Sequence, residues 1–178
     1  MMNNEQTIIE RAKNGDAAAF RQWLEEHYNM IYRVAYRFTG QAQDAQDIAQ
    51  EVCVGMAVKL QSFNGNSSFS TWLYRVVVNS CRDFIKKNSN HRTLESSYIE
   101  LEKNEQSDKN DSDKKVAWLY RMIATLEQSL KETALLVLSE ELSHAEAGKI
   151  LGCAESTISW RMHEIRKHLK NEIGNYHD

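Results

Sequence analysis

Five residues carry the first chemical signal: Trp72, Arg75, Asn79, Arg82 and Lys86 recur every three or four positions along one stretch of chain. On an α-helix that spacing puts them on one face. Cations track a phosphate backbone, an amide reads a base edge and an indole stacks on an unpaired base, so the face suits single-stranded DNA. Immediately before it stands SFNGNSSFSTW, residues 62–72, three large rings around a run of Gly, Asn and Ser. Stacking one base on one ring is worth roughly 1–3 kcal/mol, enough to decide whether a base leaves its duplex. Leu73, Val77, Ser80, Cys81 and Phe84 form the opposite face, expected to be buried. Periodicity alone fits an ordinary surface helix with one ring lying along it equally well.

Two further stretches place reactive side chains on one side of an apolar stripe. In DAQDIAQEVCVGMAVKL, residues 44–60, Ala45, Ile48, Val52, Met56 and Leu60 make the stripe, while Asp44, Asp47, Gln50 and Glu51 gather on the other side. Carboxylates near a helix N-terminus favour its dipole, which accounts for Asp44 and Asp47. The glutamine-rich remainder points to an acidic docking face for a basic protein partner. In SHAEAGKILGCAESTISWRMHEIRKHL, residues 143–169, a short helix, a glycine turn and a longer helix follow one another as in a helix-turn-helix. Ile158, Met162, Ile165 and Leu169 form the buried stripe of the longer helix. Ser156, Ser159, Trp160, Arg161, His163, Glu164, Arg166 and Lys167 are expected to face outward. A solvated charged face explains most of that set, but not Trp160, a large ring that belongs against another surface.

The elements that must position these residues are all helical. Proline is absent from the 178 residues, so nothing interrupts long helices. Helices are expected near 5–13, 17–38, 44–61 and 70–87. Asn14-Gly15-Asp16 combines a stop with an N-cap, Gly40 ends the second helix, and Asp44 and Ser70 are placed to cap the next two. From 88 to 115 the chain turns polar and poor in apolar side chains, which predicts a flexible acidic linker. Beyond it VAWLYRMIATL forms a helix, Ser129 and Ser143 each open an S-x-x-E capping box, and a last helix runs from about 155 to 170. The expectation is an all-α protein of two small helical domains, 1–87 and 116–178, joined by that linker, the second a helix-turn-helix.

Composition excludes other classes. The longest apolar runs fall far short of a membrane span and the N-terminus has no signal-peptide pattern, so a cytoplasmic protein without membrane insertion is expected. Cys53, Cys81 and Cys153 lie far apart and read as small buried residues. His27, His91, His144, His163, His168 and His177 form no ligand spacing with them, and no glycine-rich phosphate loop precedes a helix. No enzyme, metal or cofactor is expected. Net charge is −3, so binding of duplex DNA by the chain alone should be weak.

DAQDIAQEV, SFNGNSSFSTWLYRVVVNSCRDF and the C-terminal helix-turn-helix, in that order, resemble the extracytoplasmic-function (ECF) sigma factors of bacterial RNA polymerase, over nearly the whole chain. The resemblance implies that Asp44, Gln46, Asp47, Gln50 and Glu51 dock on the core polymerase. It implies that the loop residues Asn64, Asn66, Ser67, Ser68 and Phe69, with Trp72, Arg75, Asn79, Arg82 and Lys86, melt and hold the minus-ten promoter element. Within that loop, Phe63 and Phe69 are expected to pack and Trp72 to stand at the rim of a pocket for one flipped base. Ser156, Ser159, Trp160, Arg161, His163, Glu164 and Lys167 would read the minus-thirty-five element, and the linker would thread towards the polymerase channels. The implied partners are core RNA polymerase, promoter DNA and an anti-sigma protein, the free chain being a monomer, and the implied regulon is a stress or envelope response. Gln46 stands where the family has Glu, Asn64 where Arg is frequent, and Trp160 and Glu164 where Ser and Arg are common. A helix-turn-helix repressor with an N-terminal dimerisation bundle is the rival reading, and would need no polymerase-docking face.

Overall fold

A computed structural model describes residues 4–88 and 111–175, and side chains over 4–88 and 118–172. The chain divides into two compact units, one ending at Lys87 and the other beginning at Asn88. Among the described residues every regular element is a helix.

The first unit contains α1 (Asn4–Lys13), α2 (Ala17–Thr39), α3 (Ala42–Lys59), a 3₁₀ turn (Leu60–Ser62) and α4 (Phe69–Asn88). Asp16 caps α2, accepting from the Ala18 and Ala19 amides at 3.0 and 3.1 Å, and Arg11 holds the same carboxylate at 2.7 Å. These hydrogen bonds, the one from Ala19 foremost and then that from Arg11, keep its pKa below the ordinary aspartate value. Gly40 closes α2 at φ 73°, a left-handed position that glycine adopts without steric cost. The next helix then begins at Ala42, so Asp44 lies inside its first turn rather than capping it. The expected stripe of α3 is buried throughout: Ala45, Ile48, Val52 and Met56, continued by Leu60 in the 3₁₀ turn. α1 and α3 both pack on α2.

The second unit contains α5 (Asp111–Thr125), α6 (Gln128–Ala134) running into a π-helical turn (Leu135–Ser139), α7 (His144–Leu151) and α8 (Glu155–Asn175). α5 begins five residues before the expected domain boundary at 116; the rest of the expected linker, 89–110, lies outside the described residues. The capping box at Ser143 is present, its hydroxyl accepting from the Glu146 amide while the Glu146 carboxylate accepts from the Ser143 amide at 2.9 Å. The one expected at Ser129 is not: α6 starts two residues earlier, at Gln128 with Glu127 as N-cap, and the Ser129 hydroxyl donates to the Glu127 carboxylate instead. Gly152 ends α7 at φ 73°.

α7 and α8 cross closely, and Gly148 is the reason they can. A Cβ there would lie 2.8 Å from the Cys153 carbonyl oxygen and 3.4 Å from the Glu155 nitrogen, so the turn occupies the space a side chain would need. Ile158, Met162 and Ile165 are buried as expected and Leu169 is half-buried. Cys81 is buried, whereas Cys53 and Cys153 are half-buried, and all three are free thiols.

Candidate nucleic-acid and docking interface

The loop before α4 is held from below by an aromatic cluster. Phe69, the first residue of α4, meets Trp23 edge-on at 6.1 Å, His27 at 5.5 Å and Phe63 at 5.2 Å between ring centroids. His27 stacks on Trp23 at 4.9 Å and directs Nδ1 at the Trp23 carbonyl, which fixes the ring. Only 5% of Phe69 is exposed, so of the residues grouped with the DNA contacts it is the one buried as packing. Trp72 is half-buried, its ring 5.4 Å from both Phe63 and Phe69. Of the three rings of the motif Phe69 is buried, and Phe63 and Trp72 are both half-buried.

A second clamp comes from α1. Lys13 Nζ donates to the Phe63 carbonyl at 2.8 Å and sits over its ring, while Gln61 donates to the Lys13 carbonyl at 2.7 Å. Above this base the loop tip is exposed at Asn64, Gly65 and Asn66. Asn64 turns its Oδ1 back to accept from the Asn66 amide at 3.1 Å, and Gly65 sits at φ 77°. This is a self-closed turn that costs glycine no strain. Ser68, not Ser70, opens α4: its hydroxyl accepts from the Thr71 amide at 3.2 Å and bonds the Thr71 hydroxyl at 2.8 Å. Ser67 is half-buried beside it.

Along α4 the two faces separate as the spacing predicts. Leu73, Val77 and Cys81 are buried, Ser80 and Phe84 half-buried, and Tyr74 and Val78 join the core. Arg75, Asn79 and Lys86 are exposed and Arg82 half-buried, its Nη1 making a long hydrogen bond of 3.4 Å to Asn79 Oδ1. With Oδ1 facing a cation, Asn79 keeps its two amide protons for a ligand.

On α3, Gln46, Asp47, Gln50 and Glu51 are exposed and Asp44 is half-buried. Two residues missed from sequence complete this face: Val54 and Val58 are 75% and 77% exposed. The signal was present, since steps of four and three from Asp47 through Glu51 to Val54 and then Val58 run along one side, off the buried stripe. The face is therefore acidic and amide-rich at one end and apolar at the other.

In the second unit Ser156, Ser159, His163, Arg166 and Lys167 are exposed, and Trp160 is 60% exposed. Two residues expected to face outward do not do so fully. Arg161 is half-buried and points Nη1 at the Thr133 hydroxyl of α6, 3.4 Å away, and Glu164 is half-buried. Ser159 is tied to α7 through His144, whose Nδ1 lies 2.9 Å from its hydroxyl. Beneath, α6 buries a polar run that no periodicity marks: Lys131, Glu132 and Thr133.

Comparison with known proteins supplies what geometry cannot. The Sigma-70 region 2 family matches residues 23–91, from Trp23 in α2 to just beyond the end of α4. The ECF RNA polymerase sigma factor SigW of Bacillus subtilis (strain 168) is 30% identical over 176 residues, covering 93% of this chain and 94% of the relative. The chain belongs to the ECF sigma factor family. As a sigma factor it directs promoter recognition in transcription initiation, with core RNA polymerase and promoter DNA as partners; sigma factors are initiation factors rather than enzymes. Two solved structures share the fold of this ECF sigma factor. CnrH in complex with the cytosolic domain of CnrY has a TM-score of 0.71 at 19% identity, covering 97% of this chain and 99% of that one. The sigma factor RpoE of Bartonella quintana, in complex with the anti-sigma factor NepR, has a TM-score of 0.64 at 19% identity, covering 87% and 96%. Among the described residues no helix is long and apolar enough to cross a membrane.

Proposed function

We propose that the two units divide promoter recognition. Residues 1–87 dock on the core polymerase and open the minus-ten element, residues 116–178 read the minus-thirty-five element as duplex, and 88–115 link them. The observation that carries this reading is the row of exposed Arg75, Asn79 and Lys86 with half-buried Arg82, which leads away from a loop whose base is locked by Phe63, Phe69 and Lys13. A rigid floor with one ring at its rim suits an unstacked base, because ordering the site in advance lowers the cost of binding.

The α3 face, with Asp44, Gln46, Asp47, Gln50 and Glu51 followed by Val54 and Val58, is the docking surface for core polymerase. In the second unit the exposed Ser156, Ser159, Trp160, His163 and Lys167 approach base edges and phosphates, with Arg161 and Glu164 nearer the domain's own core. The net charge of −3 fits a division of labour in which polymerase supplies most of the phosphate-binding charge. The chain works in the cytoplasm, as a monomer when free, without catalysis of its own. An anti-sigma protein is its negative regulator, in keeping with the complex that RpoE makes with NepR, and its regulon answers stress or envelope damage.

The test is twofold. Purified chain added to core polymerase should start transcription at defined promoters, and the chain alone should bind the same duplexes weakly. Tight, promoter-selective duplex binding without polymerase would overturn the reading.

A further inference from the structure

We propose that His144 and Ser159 form one base-reading unit that only accepts hydrogen bonds, and so selects adenine or cytosine on the strand it faces. The proposal rests on the reading of α8 as the helix that enters the upstream promoter element.

His144 is the first residue of α7, and Ser159 lies one turn into α8. They meet across the helix-turn-helix, His144 Nδ1 lying 2.9 Å from the Ser159 hydroxyl oxygen. That same hydroxyl donates to the Glu155 carbonyl oxygen, 3.1 Å away on the preceding turn. A serine hydroxyl has one proton, and a carbonyl oxygen can only accept. The two contacts are both hydrogen bonds only when that proton goes to Glu155 and His144 donates from Nδ1–H.

The outward chemistry of the pair follows. Ser159 is exposed and in that arrangement retains one lone pair with no proton to give, while His144 is half-buried. In the major groove adenine offers the N6 amino group and cytosine the N4 amino group, while guanine and thymine offer acceptors at the corresponding edge. The Ser159 oxygen, held as an acceptor against guanine or thymine, would strip water from both groups and return no bond. Ser159 in isolation would be an indifferent reader, since a free hydroxyl donates or accepts at will. The capped N-terminus of α7 and the Glu155 carbonyl remove that freedom, making His144 the residue that positions the contact and sets its sign.

The experiment uses holoenzyme assembled from the full chain and core polymerase, on a promoter library randomised across the upstream element and again across the minus-ten element. Wild type should favour adenine or cytosine at one upstream position by roughly five- to tenfold, the lower part of the range for a base mismatch. Ser159→Ala and His144→Ala should each flatten that preference, and the double variant should do little more than the stronger single one, because the two act as a unit. His144→Asn, which restores a donor near the position of Nδ1, should keep part of it. Minus-ten ratios in the same reactions should not move in any variant, a readout that a folding defect would lower for all promoters alike. A wild-type preference for guanine or thymine there overturns the proposal, as does an unchanged preference in His144→Ala while Trp160→Ala alters upstream choice. If neither His144→Ala nor Trp160→Ala alters upstream choice, the reading of α8 falls together with it.

Discussion

Replacing Lys131 by Met should stabilise the second unit, and the gain should depend on pH in a way the structure specifies. Lys131 is 2% exposed in α6, and its ammonium has no hydrogen-bond partner among the described residues. Burial lowers its pKa from 10.5 to about 8. A difference of about 2.5 pKa units corresponds to roughly 3 kcal/mol of penalty on the charged form, an upper figure since water penetration relieves part of it. Between pH 8 and 10.5 the unfolded chain holds a proton at this site that the folded chain has lost, so folding stability rises with pH across that window. Below pH 8 both states are protonated and the penalty is complete. Lys131→Met keeps the stem, removes the charge and should gain on the order of 1–3 kcal/mol at pH 7, a gain that fades towards pH 10.5. Urea unfolding of the full chain, followed through NMR signals of α6 and α8 at several pH values, reads this as the difference between wild type and variant. A loss of stability in Lys131→Met, or a difference that stays flat from pH 8 to 10.5, would show that the buried Lys131 carries no such penalty.

Val54→Asp with Val58→Asp should weaken binding to core polymerase at least ~tenfold, because a carboxylate must then lose its water at an apolar contact. Both sites are exposed, so circular dichroism should show an unchanged fold. Gly148→Val should lower the melting temperature of the second unit, at a cost of about 1–3 kcal/mol or more, since its Cβ alone already meets the Cys153 carbonyl at 2.8 Å. The first unit should melt as before. NMR titration should place the carboxyl groups of Asp16 and Glu146 below 3.8 and 4.5, their caps holding the charged forms. The stability they contribute is complete above about pH 4.5 and is lost as pH falls through those lowered values.

Most of the fold was legible because apolar spacing dictates which side of a helix is buried. Ala45, Ile48, Val52 and Met56 on α3, and Ile158, Met162 and Ile165 on α8, lie where their periodicity puts them. Caps were legible where one residue has no rival, as at Asp16, Gly40, Ser143 and Gly152. They failed where neighbours compete. Ser68 and Ser70 have the same chemistry, and the hydroxyl of Thr71 three residues on decides for Ser68. Glu127 takes the position that Ser129 would need, and binds its hydroxyl as well. The site was legible as a face but not in its supports. The Lys13 clamp on Phe63 joins residues fifty positions apart, and no local pattern announces it. The same holds for the bond between His144 and Ser159, the inward turn of Arg161, and the burial of Lys131, whose type argues for a surface.

On the proposed division of promoter recognition, Asn79 belongs to minus-ten recognition and Trp160 to upstream recognition, in one sigma factor with two separate reading surfaces. Run-off transcription with core polymerase on a promoter library, comparing wild type with Asn79→Ala and Trp160→Ala, tests it most directly. Asn79→Ala should lose minus-ten discrimination and keep its upstream preference, and Trp160→Ala should do the reverse. Selectivity unchanged in both variants, or altered at both elements by either one, would rule out this division between the two residues.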